Sequence, residues 1–229
     1  STKDTETWSS YTVGDDISNL ANWTAEWATA DTVATIQEDT TEGNYLDWNP
    51  ANPEGQAVSW NSALTGGTNV EVFGYVEVPQ FDNQTNSFAR LYTRGAGTTD
   101  KSCYIFSVSE NEFSVGKYIN GQDGFFRITG TGSPTQGTKY FVRFRTEEVN
   151  GDDVLSAKYW EAGIEGDVEE PDRWNIITRD TTNEVDNTGW IGVGSYSDIG
   201  SSFYQVAAAD NGGSAPSGTS DPTSVTAGR

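Results

Sequence analysis

Cations and aromatic rings alternate along several short runs of this 229-residue chain. In FARLYTRG over 88–95, period two places Phe88, Arg90, Tyr92 and Arg94 on one face and Ala89, Leu91 and Thr93 on the other. Over 139–146, Lys139, Phe141, Arg143 and Arg145 alternate with Tyr140, Val142 and Phe144. Lys158 and Trp160 alternate with Ala157 and Tyr159, and Tyr104 alternates with Cys103 and Ile105. Rings beside arginines suit a sugar, whose apolar C–H face lies on an aromatic ring while its hydroxyls take multidentate polar partners. The same residues suit a plainer role, in which cations neutralise nearby carboxylates and rings fill a core.

Other chemistry is thin. The chain has no histidine, which excludes His-based triads, His metal sites and histidine pH switches. Cys103 is alone, so there is no disulfide framework, and without a histidine to activate it the thiol is expected to be a small buried hydrophobe. Gly130-Thr131-Gly132 lacks the lysine and helix of a phosphate loop, and Asn22-Trp23-Thr24 and Asn83-Gln84-Thr85 are sequons of the kind a Thr-rich chain produces by chance.

The elements that must position these side chains are strands. Runs over 33–38, 44–48, 56–60, 68–78, 87–94, 102–108, 112–119, 124–129, 139–146, 154–160, 174–178, 189–196 and 203–207 are rich in β-branched and aromatic residues. Turn signals such as Asn120-Gly121 and Asn150-Gly151 separate them. The one segment with any helical character is 16–29, and its threonines and tryptophans argue against a helix. Some thirteen strands with hairpin connections predict an all-β, two-sheet antiparallel sandwich over 1–210, followed by a Gly/Ser/Pro/Thr-rich flexible tail or linker over 211–229. Trp8, Trp23, Trp27, Trp48, Trp60 and Trp190 are expected in the core or covering sheet edges.

The order of the runs is more specific than their number. TNVEVFGYVEV (68–78), FARLYTRG (88–95), CYIFSV (103–108), EFSVGK (112–117), GTKYFVRFR (137–145), LSAKYW (155–160), PDRW (171–174) and TGWIGVGSY (188–196) follow one another. This succession resembles the concanavalin A-like lectin/glucanase jelly roll in its laminin-G-like branch, over about 68–210. The resemblance implies a glycan groove on the concave sheet face. Its ligand-binding residues there would be Arg90, Tyr92, Arg94, Tyr104, Arg143 and Trp160, with Tyr92, Tyr104 and Trp160 as the stacking rings. It also admits a structural calcium, although no cofactor is required. The family's last strand often carries an aspartate for that ion, whereas Phe203 is here followed by Tyr204 and Gln205, leaving Asp15, Asp16, Asp198 or Asp210 as oxygen donors. Glycosidases on this fold place two carboxylates on one strand as E-x-D-x-E or E-x-D-x-x-E. No such run is present: Glu71 and Glu77 are separated by Phe73 and Tyr75, Glu110 and Glu112 flank a turn, and Glu169-Glu170-Pro171-Asp172 is loop. A non-catalytic binder is therefore expected, with a polysaccharide-cleaving enzyme as a remote alternative.

Thirteen lysines and arginines face 34 acids, a net charge of -21. That excludes a general nucleic-acid binder, and no apolar run is long enough for a membrane span. So many like charges should loosen the fold at ordinary ionic strength, but in molar salt the Debye length falls to about 3 Å and the penalty largely disappears. Acid-rich, lysine-poor composition resembles proteins of salt-loving archaea and their viruses. There is no methionine, and Ser1 fits either removal of an initiator methionine or cleavage of a leader. In the first case the chain carries no export signal, and a surface-recognition fold made inside a cell suggests a virion turret, spike or fibre component. Its partners would be host glycans or polysaccharides and other virion proteins or further copies of itself, with a secreted protein or a purely structural decoration module as the alternatives.

Overall fold

The computed structural model describes residues 3–27, 34–48, 56–60, 67–78, 88–97, 101–163, 169–182, 185, 189–196 and 200–216. Fifteen strands among them form two antiparallel sheets. The eight-stranded sheet runs β13 (Ile176–Asp180), β12 (Asp152–Glu161), β11 (Lys139–Val149), β6 (Val70–Glu77), β15 (Ser201–Ala209), β4 (Gly43–Trp48) and β3 (Ala34–Asp39), with β1 (Lys3–Glu6) also beside β15. The seven-stranded sheet runs β10 (Gln122–Thr129), β9 (Phe113–Ile119), β8 (Ser102–Ser109), β7 (Phe88–Ala96), β14 (Trp190–Tyr196), β5 (Gln56–Trp60) and β2 (Trp23–Ala25).

Alternation explains the layering. Leu91, Phe106, Val115 and Val193 turn inward from the seven-stranded sheet and meet Val72, Val142, Phe144, Leu155 and Val206 from the eight-stranded one. Each such side chain contributes about 1.5–3 kcal/mol on burial. Two hairpins close through the anticipated Asn-Gly pairs. Asn120 and Gly121 join β9 to β10 at φ of 52° and 73°, and Asn150 and Gly151 join β11 to β12 at 57° and 85°. Both central residues of such a turn need the left-handed region, which asparagine and glycine tolerate.

Near the amino end, the segment with helical character is a 3₁₀ turn over Ile17–Asn19, capped by the Asp16 carboxylate and followed by β2. The Trp8, Trp23 and Trp60 rings stack in series at 5.2 and 5.6 Å, fastening this end to the core. Trp27 and Trp48 are also buried, and Trp190 is half-buried. At the other terminus, 211–216 lies against the eight-stranded sheet. Ala215 N–H donates to Glu71, and Arg143 donates to the Ala215 carbonyl at 2.8 Å. Residues 217–229 lie outside the described residues.

Candidate ligand-binding faces

The six residues anticipated on one face occupy three places. Arg90 and Tyr92 of β7 point outward from the seven-stranded sheet, and Arg143 of β11 and Trp160 of β12 point outward from the eight-stranded sheet. Arg94 and Tyr104 lie between the sheets. Tyr104 does so because its strand alternates Phe106 and Val108 into the core with it. Arg94 does so because the period of two breaks at that residue. It sits at φ 52°, and the pairing of β7 with β8 shifts register between Thr93 and Ala96. A bulge of this kind re-aims the side chain across the sheet.

Between the sheets these two join a charge-balanced network. Asp153 and Asp180 are directly opposed on β12 and β13, an arrangement unfavourable for like charges. Two cations and a phenol from the other sheet offset it. Arg94 Nη1 donates to Asp153 Oδ1 at 2.6 Å, and Lys117 Nζ donates to Asp180 Oδ2 at 2.7 Å. The Tyr104 hydroxyl donates to Asp153 Oδ2 at 2.6 Å and lies 2.9 Å from Asp180 Oδ2. Burial, and then the Asp153 carboxylate, push the Tyr104 phenol well above its usual range. Lys117 escaped notice in the sequence because it alternates inward among apolar neighbours on β9, with no local sign that an acid waits on the other sheet.

On the outer face of the seven-stranded sheet, Gly192 and Gly194 of β14 pair with Tyr92 and Arg90. Trp27 packs on this face. Its backbone N–H bonds the Ala57 carbonyl, and its ring meets Tyr92, Tyr118 and Trp190 edge to face at 5.1, 5.7 and 5.4 Å. Trp190 lies flat over Gly95, where a Cβ would fall 2.3 Å from its ring atoms. Arg90 Nη1 donates to the Tyr118 hydroxyl at 3.1 Å, and the Lys101 ammonium stands 5.3 Å over the Trp27 ring. Tyr92 is fully buried, its hydroxyl turned to the Arg90 guanidinium, whereas the Trp190 indole N–H, likewise shut off from solvent, has no hydrogen-bond partner. Burial raises the Tyr92 phenol, with the Arg90 charge working against it.

The outer face of the eight-stranded sheet is different in kind, since its charged groups satisfy one another. Glu71, wholly buried, accepts from Arg143, Arg145 and the Ala215 amide. Glu170 takes both the Arg143 fork, at 2.8 and 2.7 Å, and Lys158 at 3.2 Å. Burial opposes ionisation of Glu170, yet Arg143 and Lys158 outweigh it and hold the carboxyl below its usual range. Trp174 lies 5.0 Å beneath both Arg145 and Lys158.

Among the described residues no three carboxylates or thiols converge. Asp15 accepts from Thr12 N–H, and Asp16 from Ser18 N–H and hydroxyl, so both are spent on turns. Asp198 lies outside the described residues. At the place of the family's aspartate, a register shift between Phe203 and Gln205 turns Tyr204 outward, where its hydroxyl donates to Glu77 at 2.7 Å.

No protein-family model matches the chain, and no curated protein does. Solved structures do match. The carbohydrate recognition domain of Emp46p in its potassium-bound form aligns with a TM-score of 0.55 at 11% identity, covering 90% of this chain and 95% of that one. Its metal-free form aligns at 0.54 and 10% identity over the same shares. Peanut lectin aligns at 0.50 and 8% identity, covering 91% and 97%. The fold is the lectin-type jelly roll. The lectin-type sandwich thus emerges from an order of weak strand motifs at an identity too low to carry any residue's role across.

Proposed function

We propose that this lectin-type sandwich is a non-catalytic glycan-binding domain that works in concentrated salt, displayed on the surface of a virion infecting a salt-adapted host. The observation that carries the binding site is the Trp190 indole N–H, buried without a partner on the outer face of the seven-stranded sheet beside Tyr92 and Arg90. Leaving such a group unsatisfied costs about 1–3 kcal/mol. A ligand with hydroxyls recovers that cost by accepting from the indole. Half-buried Trp190 and Tyr118 supply ring surface for a pyranose. Emp46p's carbohydrate recognition domain has the same fold, which supports the ligand class. The high-salt setting is supported by the net charge of -21. Binding without cleavage is supported by the engagement of the carboxylates that might have acted: Glu71 holds two arginines, Glu77 accepts from Tyr204, and Glu112 pairs with Arg127 and accepts from Thr129.

A second reading, an assembly module, is favoured by one flank. The edge strands β10 and β13 lie together, each paired on one side only among the described residues, and Ile128 and Ile177 are exposed on them, Ile177 by 66%. A glycan screen in molar salt separates the two. Trp190→Phe keeps a ring and removes the indole N–H, so it should weaken binding about 3- to 10-fold, and Trp190→Ala should abolish it at this face. Folded protein that binds no glycan yet self-associates would favour assembly instead.

A further inference from the structure

The outer face of the eight-stranded sheet carries a ladder of rings that the network around Glu71 does not use. Trp160, Phe141, Tyr75, Tyr204 and Tyr45 come from five successive strands, β12, β11, β6, β15 and β4. Their centroids follow one another at 5.6, 4.6, 5.2 and 5.0 Å. The register explains the row: Trp160 pairs with Phe141, Phe141 with Tyr75, and Tyr75 with Gln205, beside which the bulge places Tyr204. The ends of the row, Trp160 and Tyr45, are half-exposed, and its middle is roofed. Lys139 covers one part, its ammonium 4.1 Å over the Tyr204 ring and 3.2 Å from Glu42, which also accepts from the Tyr75 hydroxyl, and Ala215 packs in the same cluster.

Two polar atoms in this row have no partner. The Trp160 indole N–H is shut off from solvent, and Gln205, only 5% exposed, leaves Oε1 unbonded on the face that Tyr75 shares. One is a donor and the other an acceptor, three strands apart, with rings between them. Toward Tyr204 and Tyr45 the rim is acidic, with Glu42, Glu77 and Asp47 around Lys139, and it repels anions.

We infer that this ladder is a second binding site, taking a neutral oligosaccharide laid across the strands, with the Lys139–Glu42 bridge as a latch that the ligand displaces. The ligand class is taken from the glycan-binding reading above, but the residues are separate. The half-exposed end rings, Trp160 and Tyr45, offer stacking surfaces, and a chain of uncharged sugars offers the hydroxyls that Trp160 Nε1 and Gln205 Oε1 lack. Opening the latch is cheap, because partly exposed ion pairs contribute little.

The test is calorimetric titration of the whole chain in molar salt with three neutral probes, cellohexaose, laminarihexaose and mannohexaose. Two sites per molecule are expected, with Trp160→Ala removing one and Trp190→Ala the other. Trp160→Phe, which keeps an apolar ring should Trp160→Ala fail to fold, should weaken the ladder site about 3- to 10-fold. Lys139→Ala should tighten it up to about 5-fold. A single site removed by Trp190→Ala and untouched at Trp160 and Lys139 overturns the ladder while leaving the first face standing. A single site removed at Trp160 alone upholds the ladder and overturns that face. No binding of any probe by folded protein overturns both.

Discussion

Replacing Asp153 with alanine tests whether the network between the sheets is a dry, charge-balanced fastening. The side chains of Arg94 and Asp153 are 2% and 4% exposed, so the change leaves a buried guanidinium short of its counter-charge. Removing one partner of a buried pair typically costs about 3–5 kcal/mol. Partial compensation is at hand: Arg94 keeps the Thr68 carbonyl through Nε and Nη2, and the Tyr104 proton can turn to Asp180, 2.9 Å away. The expected loss is therefore at the lower end, about 3 kcal/mol, or a melting temperature lower by roughly 6–12 °C for a chain of this size. The paired change Arg94→Met with Asp153→Leu should cost less than Asp153→Ala alone, because no orphaned charge remains. Chemical denaturation at 0.1 M and 2 M salt is the assay, and the loss should be equal in both, since screening does not reach a buried pair. A loss below about 1 kcal/mol, or one that vanishes at 2 M, would refute the account, because it would mean water and ions reach these groups.

The surface should behave in the opposite way. With a net charge of -21, the melting temperature should climb steadily from millimolar to molar salt, and a flat profile would remove the high-salt premise. For pH, Glu170 is held below its usual range by Arg143 and Lys158, so its contribution is complete above the unfolded carboxylate value and lost as pH falls through its own lower one. Glu170→Gln should therefore destabilise at neutral pH and converge with the parent in acid, as followed by thermal melts from pH 7 to pH 3. A difference constant across that range would refute the ionic role.

How far the sequence could be read depended on which rule each residue obeyed. Strand existence and in-strand facing were legible wherever alternation held, as with Arg90 and Tyr92 outward against Ala89 and Leu91 inward. Which sheet a strand joins is not a property of its own residues, so Arg143 and Trp160 could not be separated from Arg90 and Tyr92. Arg94 misled because a non-glycine residue at positive φ carries no local signature in Thr93-Arg94-Gly95. β1 was missed because Lys3–Glu6 is wholly polar, and its pairing with β15 supplies what its composition does not. β2 is three residues long, too short for any period to register. The rings of the ladder were each visible, but their row depends on register across five strands, including a bulge.

The three indoles at the amino end have an optical consequence. Trp23 and Trp60 are nearly parallel, 3° apart in plane, and Trp8 lies 29° from Trp23. Transition dipoles held that close couple, so the stack should produce a split band in the far-ultraviolet dichroism. That band exists only while residues 8, 23 and 60 stay docked. The chain thereby carries an intrinsic reporter for the attachment of its first strands, separable from the strand signal of the sheets, and it needs no label to be followed through a salt or temperature ramp.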